Sequence, residues 1–95
     1  MRNRLEQQSL EYLYKALLSL ETEEECEAFL EDLCTVQELK ALSQRLQVAR
    51  LLHQQKVYNE IVAETGASTA TISRVNRSLH YGKDGYKLVL ERLEH

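Results

Sequence analysis

Between Lys56 and Arg77 one short span gathers side chains that can hold a charged or hydrogen-bonding partner: Lys56, Asn59, Ser68, Thr69, Thr71, Ser73, Arg74 and Arg77, with the methyl of Ala70 among them. A hydroxyl can donate or accept at a base edge, a methyl can pack on thymine C5, and a guanidinium can pair with guanine or clamp a phosphate. These are the contacts a helix makes in a DNA major groove, with base readers near its N-terminus and hydroxyls, amides and basic groups on the phosphates. Thr69 and Ala70 suit the first role, and Ser73, Arg74 and Arg77 continue the same face from Ser68 onward. Lys56, Asn59 and Thr71 suit the phosphates. Readers this small point to specificity carried by water and by DNA shape. Residues able to do covalent or metal chemistry are scattered instead. His53 and His80 stand alone, no glycine-rich phosphate loop precedes a helix, and the carboxylates fall on solvated faces where nothing would raise a pKa. Cys26 and Cys34 lie eight apart with no Cys/His set at zinc spacing, which reads as two buried, reduced thiols. No catalytic residue, metal ligand or cofactor is expected.

A groove-reading face needs an element to present it, and the stretch from Val57 to Leu79 supplies one. Ile61, Gly66 and Ile72 stand at offsets of five and six, with Ala67-Ser68 between the glycine and the second helix. That is the spacing of a helix-turn-helix. One apolar residue on each helix fills the elbow, Gly66 takes the positive φ that ends the first helix, and Ser68 caps the second. Ile72, Val75 and Leu79 then point inward and leave the opposite side of Ser68 to Leu79 to the solvent.

The preceding chain reads as three helices. Residues 4–20 carry Leu5, Leu10, Tyr12, Leu13, Tyr14, Ala16, Leu17, Leu18 and Leu20 nearly all the way round, so more than one face must be buried, and a second subunit is the expected cover. Thr22 with Glu25 and Thr35 with Glu38 form capping boxes that open the second and third helices. The third, to about His53, sets Val36, Leu39, Leu42, Leu46, Ala49 and His53 on one face with Val48, Leu51 and Leu52 beside it. After Tyr81-Gly82-Lys83-Asp84-Gly85 breaks the pattern, Tyr86, Val89, Leu90 and Leu93 mark a last helix. The expectation is an all-α chain of about six helices. It forms one domain over 1–95: 1–34 mainly for dimerisation, 35–79 the core helix and helix-turn-helix, 80–92 a closing helix. Residues 93–95, Leu93-Glu94-His95, resemble the start of a purification tag.

Composition sets the limits. The 95 residues contain no Pro or Trp and only three Gly, with 28% charged against 43% hydrophobic residues, a balance that favours long helices. A domain this small gains from a partner subunit. No apolar run approaches the roughly 20 residues of a membrane helix, and the N-terminus is polar, so a soluble cytoplasmic protein is expected. The net charge of −3 hides a division: residues 1–40 hold four Lys/Arg against ten Asp/Glu, and residues 41–95 hold eight against five. Affinity for a DNA backbone needs only local positive charge, which the second part carries.

Ala41-Leu42 through Arg45, Leu51-Leu52, Gly66-Ala67, Ala70-Thr71-Ile72-Ser73-Arg74 and Ser78-Leu79 resemble the Trp repressor family. With the Tyr81-Gly82-Lys83-Asp84-Gly85-Tyr86 segment, the chain is similar to its YerC/YecD branch. The resemblance implies an all-helical, intertwined homodimer that binds operator DNA and regulates transcription, expected as a repressor, with the first helix in the dimer interface. In the Trp repressor, tryptophan lies against the recognition helix beside a glycine that follows the motif arginine. Arg74 and Ser78 match that motif, but the glycine position holds Val75, whose branched side chain takes the space an indole needs. Tryptophan is therefore not the expected ligand. Two alternatives remain beside DNA binding of this kind. One is a dimeric protein-interaction module that meets a basic partner with its acidic N-terminal half; the other is a regulator gated by a different small effector, held between the third helix and Arg74.

Overall fold

The computed structural model describes residues 2–94, and among them it has six α-helices and no strand. They are α1 (Arg4–Leu18), α2 (Glu23–Leu33), α3 (Val36–His53), α4 (Tyr58–Thr65), α5 (Thr69–Tyr81) and α6 (Gly85–Leu93). The chain divides into two compact units, one up to Leu39 and one from Lys40. Of the segment read as a tag remnant, Leu93 closes α6, and His95 lies outside the described residues.

The first unit is built by its caps. Asn3 opens α1 with a reciprocal box that the sequence reading passed over: its side chain accepts the Glu6 amide at 2.8 Å while the Glu6 carboxylate accepts the Asn3 amide at 3.3 Å. The helix ends at Leu18 rather than at residue 20, because the Ser19 hydroxyl turns back to donate to the Ala16 carbonyl at 2.6 Å. Thr22 caps α2 by accepting the Glu25 amide, but the Glu25 carboxylate passes the cap residue and takes the Glu21 amide at 2.8 Å, so this box is shifted by one residue. Thr35 and Glu38 complete theirs in both directions, at 2.8 and 3.0 Å. No residue of α1 or α2 is buried in the single chain. Tyr12 is 77% exposed and Leu18 85%.

The second unit holds the core. Val48, Ala49 and Leu51 of α3 meet Ile61 of α4, Ala67 of the turn, Ile72 and Val75 of α5, and Leu90 of α6, with Leu52, Tyr58 and Tyr86 packed around them. Within α3 the buried set is Val48, Ala49 and Leu51, whereas Val36, Leu42, Leu46 and His53 of the expected stripe stay exposed. Only Ala49 belongs to both. In α6, Leu90 is buried and Tyr86 half-buried, while Val89 and Leu93, also expected inward, face solvent. Residues 80 and 81 belong to α5, not to a closing helix. The break after them is sharp for a local reason: Gly82 packs so closely over the Ser78 carbonyl that a Cβ there would collide with it.

Candidate nucleic-acid interface

Gly66 has φ 72°, and its amide closes the end of α4 on the Val62 carbonyl at 2.9 Å. Ser68 then caps α5 by accepting the Thr71 amide at 3.1 Å, and its hydroxyl also meets the Thr71 hydroxyl at 3.1 Å. Behind the turn, Ile61, Ala67 and Ile72 are buried together, and Val75 and Leu79 continue the buried side of α5. A helix-turn-helix is therefore formed by residues 58–81, with its elbow at Gly66 and its second helix anchored along one face.

The opposite face of α5 carries Thr69, Ala70, Ser73, Arg74 and Arg77, all exposed, with Ser68 exposed at the cap. Thr71 is half-buried, its hydroxyl tied to Ser68. Neither Arg74 nor Arg77 forms an ion pair or side-chain hydrogen bond among the described residues, so an internal pairing with Glu60 or Glu64 does not occupy them. Lys56 and Asn59, at the start of α4, are exposed as well. Lys56 reaches Glu60 at 3.9 Å, a solvent-screened pair that holds the lysine only weakly. No hydrogen bond or ion pair among the described residues links these two to the α5 face.

The electrostatics of α5 differ from those of the helices before it. The first turns of α1, α2, α3 and α4 contain acids, whereas that of α5 contains none. Its positive dipole end is capped by a neutral hydroxyl, and no acid occurs anywhere along Thr69–Tyr81. A helix end of that kind favours phosphate, and the arginines on the same face add to the potential. Away from this face, the Thr35 amide, and then the Thr35 hydroxyl, hold the Glu38 carboxyl below the usual carboxylate range. Cys26 and Cys34 are free and only half-buried, where buried thiols were expected, and among the described residues no group of three His, Cys, Asp or Glu gathers at metal-binding range.

Val75 is 1% exposed and belongs to the core with Ile72 and Leu90. The position therefore contributes packing, not space. An open apolar groove does lie further along, lined by Leu46, Ser78, Gly82, Lys83, Tyr86 and Val89. Two residues that sequence reasoning passed over support the elbow. Thr65 bonds through its hydroxyl to both sides of the turn, and Gln44 of α3 donates to the Thr65 carbonyl at 3.3 Å. A threonine just before a helix-ending glycine was the local signal for the first; nothing local marks the second, which is 21 residues away.

No helix among the described residues is long and apolar enough to cross a membrane. A family model described as Trp repressor protein matches residues 8–94. The uncharacterized protein YerC of Bacillus subtilis (strain 168) is 49% identical over 92 residues, covering 97% of this chain and 88% of YerC. Among solved structures, a TrpR-like protein from Eubacterium eligens is 53% identical with a TM-score of 0.91, over 98% of this chain and 96% of that one. A candidate Trp repressor from Staphylococcus aureus is 49% identical with a TM-score of 0.89, at the same coverage of both chains. The chain, all-helical and with a helix-turn-helix in its second unit, belongs to the Trp repressor family of DNA-binding regulators.

Proposed function

We propose that this protein is a sequence-specific transcriptional regulator that binds a palindromic operator as a homodimer and reads it with α5. One observation carries the reading: Ser68, Thr69, Ala70, Ser73, Arg74 and Arg77 form an exposed, acid-free face on a helix whose other side, Ile72, Val75 and Leu79, is buried. In this arrangement Thr69 and Ala70, in the first turn, meet base edges. Arg74 and Arg77 pair with guanine or with phosphate, and Lys56, Asn59 and the Ser68–Thr71 cap hold the backbone. Short readers of this kind depend on ordered water and groove shape for much of their discrimination.

Dimerisation is supported by the first unit. No residue of its two helices is fully buried in the single chain, while Leu5, Tyr12, Leu17, Leu18 and Leu33 lie open, and apolar exposure on that scale in so small a unit supports an interface there. The Val36, Leu42 and Leu46 stripe of α3 is open in the same way. Val75 fills core space at the position where an indole would need room, which supports a regulator that acts without tryptophan. Arg74→Ala and Thr69→Ala test the reading by titration against a cognate duplex. Each should weaken binding by about five- to a hundredfold with the dimer intact, the range for one good base or phosphate contact. Unchanged affinity in both would show that α5 does not face DNA.

A further inference from the structure

Three hydrogen bonds converge on Thr65, the last residue of α4. Its hydroxyl donates to the Ile61 carbonyl at 2.7 Å and accepts the Ala67 amide at 3.1 Å, and its carbonyl accepts Nε2 of Gln44 at 3.3 Å. The Gly66 amide is already satisfied by Val62. What the hydroxyl holds is the next amide, that of Ala67, in a residue 2% exposed that joins the left-handed glycine to the Ser68 cap. A buried amide with little access to water needs such a partner, and a threonine hydroxyl accepting from two residues on is a compact way to fix a turn. The position of Ala67 sets where α5 begins and at what angle it leaves the elbow.

We infer that Thr65 and Gln44 are positioning residues for the recognition face: the Thr65 hydroxyl fixes the elbow angle, and Gln44 registers that elbow on α3. The inference rests on the DNA-binding reading above. Its force comes from the size of the readers. Thr69, Ala70 and Ser73 have almost no reach, so a small tilt of α5 takes them off their base edges, whereas Arg74 and Arg77 can follow a displaced phosphate. A loosened elbow therefore costs discrimination before it costs general affinity for DNA, because a recognition constellation must be held to about half an ångström.

Thr65→Val keeps the branched shape and removes the hydroxyl; Thr65→Ser keeps the hydroxyl; Gln44→Met keeps the length and removes the amide. Each is titrated against a cognate duplex and a scrambled one of equal length, and exchange of the Ala67 amide is followed without DNA. Thr65→Val should lower the ratio of cognate to scrambled affinity by about tenfold, as expected for one unsatisfied buried donor, and should speed Ala67 exchange. Scrambled-duplex binding and helicity should stay as in the original chain. Thr65→Ser should restore the ratio, and Gln44→Met should lower it by a smaller factor. An unchanged ratio and unchanged Ala67 exchange in Thr65→Val would overturn the inference, as would failure of Thr65→Ser to restore them. Should Thr65→Val lose helicity, Gln44→Met decides, and a ratio equal to the original overturns the role of the pair. If the original chain shows no cognate duplex at all, the DNA-binding reading fails by itself, and Ala67 exchange still decides whether Thr65 fixes the elbow.

Discussion

Replacing Arg77 with alanine should flatten the salt dependence of DNA binding, not merely weaken it. Arg77 is exposed on α5, and no ion pair or side-chain hydrogen bond engages it among the described residues, so its loss should change folding stability by no more than about 0.5 kcal/mol. The proposed face has three basic side chains per chain: Lys56, Arg74 and Arg77. In a dimer that neutralises about six phosphates, and at about 0.9 per phosphate the log–log slope of affinity against salt is about −5.4. Removing Arg77 from both chains leaves about four and a slope of about −3.6. Between 50 and 200 mM salt the original protein should then lose about 2,000-fold in affinity and the variant about 150-fold. Fluorescence anisotropy over a salt series measures both slopes, and a thermal melt of each protein checks the folding term. A variant with lower affinity but an unchanged slope would refute the phosphate role, and a variant identical in affinity and slope would remove Arg77 from the interface.

Three further outcomes are expected. Leu17→Glu, at a position 42% exposed in the single chain, should abolish the dimer or unfold the chain; sedimentation that still gives a dimer of normal helicity would refute the interface. Gln55 has φ 64° at the end of α3, where Lys56 and Gln55 amides close on Leu51 and Leu52 in the pattern usually completed by glycine, so Gln55→Gly should stabilise by about 0.5–1 kcal/mol in denaturant unfolding. A loss of stability would show that the left-handed residue carries no strain. Glu38 has its folded-state pKa depressed by Thr35, so its cap stabilises α3 above the ordinary carboxylate range and is lost as pH falls through the lowered value. Glu38→Gln should remove that part of the acid transition seen by circular dichroism, and an identical acid limb would refute it.

The parts of the molecule that were legible in sequence are those fixed by neighbours along the chain. Gly66, Ser68 and the Ile72, Val75, Leu79 spacing define the turn, its cap and the buried face of α5 within a few residues, and all three occur where their chemistry places them. Failures arise where a local signal has two solutions. Glu25 serves the Glu21 amide instead of that of Thr22, and Ser19 ends α1 two residues early, because each polar side chain can reach more than one backbone partner. On α3 two apolar stripes compete, and only packing against Ile61, Ile72 and Leu90 selects the one with Val48 and Leu51. Periodicity ranks stripes by regularity, and burial depends on what stands opposite. The Gln44–Thr65 bond lies beyond any local pattern, since a polar residue on a helix bears no mark of a partner 21 residues on.

Whether the α5 face reads DNA is decided by selecting bound sequences from a random duplex pool with the purified protein while measuring its mass in solution. A dimer that enriches a palindromic consensus, with half-sites about 34–36 Å apart, is the expected result. An intact dimer that enriches nothing at low salt would contradict it.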